Sequence, residues 1–366
     1  METAATPLAE LLAEGARRES EARVRLVAAD WAAVRPLARA LATGGRDPAP
    51  EEAGIGDGCP TVEGVARRAA LCARLHPCAL AAGDLDAARD LLGRIARDTL
   101  RIDPRAAGSQ VAPVARILVA ACAGDATAPG APGATHAWLA RAISAAGDAS
   151  AGSTNGCTSP TELASAVGLL AQAFASGVVV PGDDAGRLHR SMGHGLDALL
   201  AVQQDDGAWI ESADGSDATA RVLDDALAAP LVGAQPSPHL AAAAARALAR
   251  LAATQSRAGD WAADRRRTID NARAAMLVLP LLAAGAPSIV RAAGFAPEDA
   301  DGCFAERAVA WSLADRPELG FPGPGPDAIA ADEALEFAAA GIGLLLDHGA
   351  WRASDPRAVA RLRGLA

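Results

Sequence analysis

The chain has 366 residues, a formal net charge of −10, and a composition that is 51% hydrophobic but only 3% aromatic. This charge argues against a nucleic-acid partner, because contacts to phosphates need a basic face. The six cysteines are scattered and form no Cys-x-x-Cys pair, which favours reduced thiols in a cytoplasmic protein.

Two further observations bear on the compartment. The first 21 residues contain acidic side chains and no apolar core, so we expect no signal peptide. The longest apolar run, residues 274–290, contains two prolines and is shorter than the ~20 residues that a membrane span needs. We therefore expect no transmembrane segment.

Helical patterns follow one another along the whole chain. Residues 1–43 carry apolar side chains at helical spacing and predict an N-terminal helical segment. Six helices rich in Ala and Leu are then predicted, each after a turn; they begin near Thr61, Gln110, Thr161, Asp217, Thr268 and Ala331. Amphipathic helices with Arg on one face are predicted at residues 84–100, 136–146, 185–202, 239–253 and 303–314. No stretch alternates as a strand would.

This alternation of helix types predicts the architecture. A helix that is apolar on all sides is buried on all sides, whereas an amphipathic helix exposes one face. Six pairs of one buried and one half-exposed helix predict an all-α, single-domain (α/α)6 toroid over residues 1–366. Its two concentric rings would consist of six helix hairpins, entered from residues 1–43. An open superhelix of the TPR or HEAT type is the competing arrangement.

Two short stretches share one pattern, in which Gln is followed four residues later by Gly and two residues after that by Trp. The pattern occurs at Gln203, Gly207 and Trp209, and again at Gln255, Gly259 and Trp261. The two glutamines are 52 residues apart, and a turn repeated at a long period indicates a repeated structural unit. We call residues 203–209 and 255–261 the first and second Trp turns.

The Trp turns, each with a Leu four residues before the Gln (Leu199 and Leu251), resemble the repeat of squalene-hopene cyclases and other class II terpene cyclases. Close resemblance covers residues 185–285, and the periodicity of the turns extends it over most of the chain. The wider superfamily shares its α/α toroid with protein prenyltransferase β subunits. It implies an α/α toroid in which the Gln and Trp link neighbouring helices. It also implies an enzyme that cyclises a linear isoprenoid or prenyl diphosphate by protonation.

Class II cyclases carry an Asp-x-Asp-Asp sequence at the start of an inner helix, and residues 268–271 stand at that place. Asp270 matches the middle Asp, which the resemblance makes the proton donor, while Thr268 and Asn271 replace the flanking acids. Protonation of an alkene needs a carboxyl group that is kept protonated in a mostly apolar cavity. The structural alternative makes Thr268 an N-cap, with Asp270 in the first helical turn for the helix dipole.

Acidic residues also stand near the start of other predicted inner helices. They are Asp217, Asp224, Asp225, Asp332 and Glu333. In a closed toroid these carboxylates would converge on one mouth, where they could bind substrate or hold Mg²⁺ with a diphosphate. The alternative is a solvated acidic rim on an acidic protein.

Three consecutive arginines, Arg265, Arg266 and Arg267, precede Asp270. Guanidinium groups bind phosphates in a bidentate manner, so this run is a candidate diphosphate site. A solvated run of charge in a loop is the alternative.

Two other groups have a partial metal-site pattern. Asp301 and Cys303 resemble the zinc-binding Asp-x-Cys of prenyltransferase β subunits, but no third ligand follows them. Cys72 and His76 are one helical turn apart, and a buried Cys is the common role in such an Ala-rich helix.

Composition keeps other functions open. Carbocations are usually stabilised by aromatic faces, and this chain has few aromatic side chains. A non-catalytic toroid that binds an apolar ligand or a partner protein is the first alternative to a cyclase. An enzyme of different chemistry on the same barrel is the second, because one fold supports many functions.

Overall fold

The computed structural model describes eleven segments of the chain. They are residues 5–43, 62–104, 111–123, 132–152, 159–175, 185–211, 215–227, 237–262, 264–292, 303–314 and 328–352. Asp301 lies outside these segments, and the side chains of Arg265, Cys303, Asp332 and Glu333 lie outside the description as well.

The described segments form an all-α structure, as the sequence predicts. Its α-helices are α1 (Ala5–Thr43), α2 (Val62–Ala81), α3 (Leu85–Thr99), α4 (Val111–Ala123), α5 (Pro132–Gly152), α6 (Pro160–Ala175), α7 (Ala185–Ala201), α8 (Thr219–Val222), α9 (Pro238–Thr254), α10 (Arg265–Gly285), α11 (Pro287–Ala292), α12 (Cys303–Ala314) and α13 (Ala328–Arg352). A π-helical segment, Leu223–Leu227, follows α8 directly. Within these segments, β-structure is limited to two isolated bridges, which join Ile210 to Asp217 and Trp261 to Asp264.

The helices lie where the apolar patterns predict them. The six Ala- and Leu-rich helices are α2, α4, α6, α8 with its π-helical segment, α10 and α13, and the amphipathic ones are α3, α5, α7, α9 and α12. The prediction of Thr268 as an N-cap is wrong, because α10 begins at Arg265. Asp264 caps this helix instead, accepting a hydrogen bond from Arg267 N at 3.1 Å. The arginine run is therefore the first turn of α10 rather than a loop.

Local sequence explains several helix ends. Asp84 caps α3 by accepting a hydrogen bond from Ala87 N at 3.2 Å. The preceding Gly83 has a φ of 74° and closes the turn after α2 in a conformation that suits glycine. Helices α5, α6, α9 and α11 begin with proline, whose missing N–H has no partner to lose at the first helical position.

The apolar helices contact one another in chain order. Helix α2 packs on α4, α4 on α6, α6 on the π-helical segment, that segment on α10, α10 on α13, and α13 on α2. This order of contacts returns to the helix where it began. The amphipathic helices pack against this series, with α3 on α2, α5 and α7 on α6, and α9 and α12 on α10; α1 contacts both α2 and α13.

Burial follows the same division. Helix α6 buries residues on every side, including the polar Ser165 and Gln172, whereas α3 buries one face around Leu91 and Ile95. Full burial of a Leu or Val side chain contributes about 1.5–3 kcal/mol, so contacts on all sides hold the apolar helices in place. Across the described residues, no helix combines the length and apolar character needed to cross a bilayer.

Candidate functional site

Both Trp turns fold onto the helix that precedes them. The indole Nε1 of Trp209 donates a hydrogen bond to Leu199 O at 2.8 Å, and that of Trp261 donates to Leu251 O at 3.0 Å. Both indoles are almost completely buried, and a buried indole N–H needs such a partner. The two leucines are the ones that stand four residues before each Gln.

Each Gln of a Trp turn joins its turn to the next amphipathic helix. Gln203 Nε2 donates to Ala243 O of α9 at 2.9 Å, and Gln255 Nε2 donates to Phe304 O of α12 at 2.7 Å. The same nitrogens also close the turns, by donating to the carbonyl oxygens of Gly207 and Gly259. The glutamines therefore link consecutive hairpins, as the resemblance implies.

Two structural constraints require glycine at Gly207 and Gly259. Gly207 has a φ of 91° and Gly259 a φ of 105°, a region that other residues rarely adopt. A Cβ on Gly207 would lie 2.6 Å from the Arg246 carbonyl group, and one on Gly259 would lie 2.5 Å from Arg307 O. Only a residue without a side chain allows these turns to approach the next helix so closely.

Thr268, a predicted catalytic residue, anchors the second Trp turn. Its Oγ1 accepts a hydrogen bond from Trp261 N at 3.0 Å and donates one to Asp264 O at 2.7 Å. Thr219 has the matching place after the first turn, where its Oγ1 accepts from Trp209 N at 3.1 Å. Both threonines are fully buried, so the geometry gives Thr268 a structural role.

Counting from these two threonines aligns the helices that follow. Two residues after the threonine stand Arg221 in α8 and Asp270 in α10, and five residues after it stand Asp224 and Arg273. The two positions carry opposite charges in the two helices. All four side chains belong to the polar groups between the apolar helices, and sequence inspection alone does not align them because the loops before the threonines differ in length.

Asp270 lies in a group of charged side chains contributed by several apolar helices. Its Oδ2 accepts from Arg266 Nε at 3.2 Å, Arg266 Nη1 lies 3.7 Å from Glu336 Oε2, and Arg74 Nη1 lies 3.4 Å from Glu336 Oε1. These four side chains are between 31% and 37% exposed. The contacts are long and solvent reaches them. We call these four residues, together with Arg221, the accessible cluster.

Arg221 completes this cluster from α8. Burial lowers the pKa of Arg74, Glu336 opposes that effect, and the nearby guanidinium groups of Arg266 and Arg221 lower the pKa further. Arg221 itself is exposed, and no ion-pair partner for it exists among the described residues. The guanidinium groups of Arg74 on α2 and Arg266 on α10 thus meet at Glu336, and Arg221 on α8 acts electrostatically on Arg74.

A second set of ion pairs is shorter and less exposed. Arg273 Nε lies 2.6 Å from Asp347 Oδ2, and Arg116 Nη2 lies 2.6 Å from Asp225 Oδ1. The other oxygen of this carboxylate, Asp225 Oδ2, accepts a hydrogen bond from Ser165 Oγ at 3.2 Å. Burial alone would lower the pKa of Arg273 and of Arg116, but the carboxylates beside them outweigh burial and raise it. We call Arg273–Asp347 and Arg116–Asp225 the short pairs.

The π-helical segment positions Asp225 for its pair. A Cβ on Gly168 of α6 would collide with Asp225 O, so the segment lies directly on the backbone of α6. Asp224, the preceding residue, acts electrostatically on both Arg116 and Arg273. The predicted substrate ligands Asp224 and Asp225 therefore belong to interhelical pairing. Short π-helical segments are frequent at functional sites.

Asp217 and Arg267, two other predicted ligands, contact each other. Asp217 Oδ2 accepts from Arg267 Nη2 at 2.8 Å and from Arg250 Nη1 at 2.7 Å. Burial would raise the pKa of Asp217, but hydrogen bonds from Thr219 and Arg250 outweigh it and hold the pKa below its ordinary value. These contacts tie the segment directly before α8 to α9 and α10 and leave Asp217 well paired.

Four predicted site residues remain. One of them is buried, and the side chains of the other three are not described. Asn271 is buried, and its Nδ2 has no hydrogen-bond partner among the described residues. Arg265 is the first residue of α10, and Asp332 and Glu333 lie beyond the first turn of α13; the side chains of all three are outside the description.

The donor set of the described residues does not fit the predicted Mg²⁺ site. Mg²⁺ with a diphosphate needs one or two carboxylates that are free to bind it. Asp217 and Asp225 each lie 2.7 Å or less from an Arg nitrogen, and no described group of three His, Cys, Asp or Glu side chains could hold a metal ion. Cys72, from the other predicted metal pattern, is buried, and burial raises its pKa to about 12.

Sequence reasoning missed Arg74, Arg221 and Arg273. Each is a charged residue inside an Ala-rich helix, and a charge within such a largely apolar helix was the available indication. Comparison with known proteins adds no further guide, because no protein-family model, curated protein or solved structure matches the chain.

Proposed function

We propose that the chain is an (α/α)6 toroid. The contacts of α2, α4, α6, the π-helical segment, α10 and α13 support this proposal, since they run from helix to helix and return to α2. The Trp turns support it as well, because each Gln joins one hairpin to the next. An open superhelix of stacked repeats would leave its first and last helices without such a contact.

We further propose that the toroid binds a small phosphate or diphosphate ester of an isoprenoid at the accessible cluster. The observation that carries this proposal is the convergence of Arg74 and Arg266 from two helices on Glu336, with Arg221 of a third helix acting electrostatically on Arg74. Their pairs with Asp270 and Glu336 are long and exposed, and guanidinium groups bind phosphate oxygens in a bidentate manner. The cluster holds three arginines and two carboxylates, and a bound diphosphate would balance the remaining positive charge.

In the same proposal the protein is a class II-like terpene cyclase with Asp270 as the acid. The Asp270 carboxyl group would give its proton to one carbon of the terminal alkene, and its O–H electron pair would remain on the carboxylate. The neighbouring carbon becomes a cation, which the next double bond attacks to close a ring. Loss of a proton from the final cation restores neutrality. The position of Asp270 in the cluster, rather than on an outer helix, supports this role.

A binding protein without catalysis is the second candidate. It is favoured by the contact of Asp270 with Arg266, since a carboxylate that accepts from a guanidinium group is an ion-pair partner and not a proton donor. This candidate shares the proposed ligand and differs only in the fate of that ligand.

The experiment that tests both candidates is incubation with C10 to C20 prenyl diphosphates and with squalene, followed by mass spectrometry of extracted products. The wild type is compared with Asp270→Asn and with Asp197→Asn, an exposed residue of α7 with the same change of charge. The cyclase predicts a cyclic product from the wild type and Asp197→Asn and none from Asp270→Asn. Binding of the diphosphates without any product would favour the binding protein, and absence of binding would exclude both.

A further inference from the structure

We propose that Arg266 is exchanged between two partners, so that a bound anion takes the guanidinium group and releases Asp270. The inference rests on the proposed function, because it concerns the same phosphate or diphosphate ester in the accessible cluster. It adds a coupling between ligand binding and the state of Asp270, which neither candidate function requires.

The two sets of ion pairs differ in how readily they can be exchanged. Arg266 lies 3.2 Å from Asp270 and 3.7 Å from Glu336, whereas both short pairs are 2.6 Å long. The side chains of Arg266 and Asp270 are 35% and 31% exposed, and those of the short pairs between 3% and 26%. Exposed ion pairs contribute little to stability and are screened by salt, so the contacts of Arg266 are the ones that a ligand can replace.

The surroundings of Arg266 make an anion the natural competitor. Arg74 and Arg221 are near enough to act on each other electrostatically, and Arg266 acts on Arg74 as well. Arg221 has no described carboxylate partner. A phosphate or diphosphate group between these arginines gains several charge-assisted hydrogen bonds at once, whereas Asp270 offers a single charge.

Exchange has a direct consequence for Asp270. Besides Arg266, the described charged groups that act within this cluster are Arg74 on α2, Arg221 on α8, Arg273 on α10 and Glu336 on α13. Arg273 lies 2.6 Å from Asp347 and is held by that contact. Once an anion occupies Arg74, Arg221 and Arg266, Asp270 would lose its hydrogen-bonded partner and gain a negative neighbour. Both changes remove stabilisation from the negative charge of Asp270.

A double-mutant cycle tests this exchange with inorganic pyrophosphate as the probe and calorimetry as the readout. If Asp270 competes with the anion for Arg266, Asp270→Asn should tighten pyrophosphate binding about five-fold, the range of an exposed ion pair. Arg266→Gln should weaken binding about ten-fold through the loss of charge-assisted hydrogen bonds. In the double variant the effect of Asp270→Asn should fall below about two-fold, because its competitor is gone.

Controls separate this effect from folding and from general charge. Asp197→Asn makes the same change of charge far from the cluster and should leave binding unchanged. Arg266→Lys keeps the charge but loses the Nε contact with Asp270, so it serves as a second variant if Arg266→Gln unfolds. Geranyl diphosphate and inorganic phosphate are measured beside pyrophosphate, which distinguishes an ester with an apolar tail from a free anion.

The outcomes have different meanings. The exchange is supported if Asp270→Asn tightens anion binding when Arg266 is present and not in the Arg266→Gln background. This holds for whichever of the three probes binds. Equal tightening in both backgrounds overturns it, since Asp270 would then act through its charge and not through Arg266. Binding that is unaffected by Asp270→Asn also overturns the exchange but leaves the binding function intact. Absence of binding by all three probes in every variant overturns the proposed function and the exchange together.

Discussion

The first and second Trp turns close through the same hydrogen bonds, yet the helices that follow them differ in length and in charge. In both, Trp donates to a Leu carbonyl, Gln donates to the next amphipathic helix, and a buried Thr accepts from Trp N. After the first turn comes the short α8 with its π-helical segment, and after the second the 21-residue α10. The turns form the framework, and the charged positions after each Thr are where the two hairpins differ.

Opposite charges at matched positions are the informative part of this difference. Arg221 and Asp270 stand two residues after their threonines, and both belong to the accessible cluster. Asp224 and Arg273 stand five residues after them and interact with each other electrostatically. The repeat thus brings complementary charges together between helices. Because the hydrogen bonds of the Trp turns go to backbone atoms, the charged positions after each Thr can differ without changing the turns.

The largest expected effect concerns the glycines of the framework. Gly207→Ala and Gly259→Ala should each destabilise the protein by about 3 kcal/mol, since strain at positive φ and a clash with the next helix add together. Urea denaturation measures the free energy of unfolding. Gly215→Ala is the matched control, because Gly215 also has a positive φ, 70°, but a Cβ there would have no neighbouring atom within 4 Å. If all three variants lose the same stability, the close approach has no effect.

The anchoring threonines should give the next effect. Thr219→Val and Thr268→Val remove the acceptor of a buried backbone N–H and should each cost about 2 kcal/mol. Equal losses in the two variants, with pyrophosphate binding preserved, would agree with a shared structural role. A stable Thr268→Val protein that no longer binds or converts a ligand would instead return Thr268 to the catalytic set.

A smaller effect is expected from Asp217, which stands two residues before Thr219 and pairs with Arg250 and Arg267. Its pKa lies below the ordinary value in the folded protein, because hydrogen bonds from Thr219 and Arg250 outweigh burial. The stabilisation is therefore present above about pH 4 and is lost as the pH falls through the lowered pKa. Asp217→Asn should cost about 1 kcal/mol at pH 7, and the difference from the wild type should shrink in acid.

Denaturation at several pH values checks this prediction. Asp148→Asn is the control, because Asp148 pairs with Arg187 at 3.1 Å but is 57% exposed, so its removal should change stability little at any pH. A loss from Asp217→Asn that stays constant down to about pH 2, below the ordinary pKa of an Asp, would show that the contribution of Asp217 is not ionic.

Much of the framework could be predicted from the sequence, because it depends on local patterns. Runs of Ala and Leu located the six apolar helices, and the Gln, Gly and Trp spacing located two turns whose hydrogen bonds join neighbouring hairpins. The predicted start of α10 is three residues late, since Asp264 and Thr268 are both good N-caps and only the structure shows which one caps the helix.

The candidate site was harder to predict, because it depends on which helices become neighbours. Asp270 was identified from a resemblance, but the cluster around it joins Arg266 to Glu336, which lies on another helix, 66 residues beyond Asp270 in sequence. Arg267 was predicted to bind a ligand, yet a carboxylate 50 residues away, Asp217, accepts its hydrogen bond. Long side chains meet across helices in ways that spacing along one helix does not reveal.

The central claim is that the accessible cluster binds an anion, and Arg221 tests it most directly. Arg221 has no described ion-pair partner, so Arg221→Gln should change the free energy of unfolding by less than about 0.5 kcal/mol. Calorimetric titration with pyrophosphate should show binding by the wild type and by Arg257→Gln, an exposed arginine of the second Trp turn. Arg221→Gln should bind at least about ten-fold more weakly. Equal affinity of Arg221→Gln and the wild type would contradict the account.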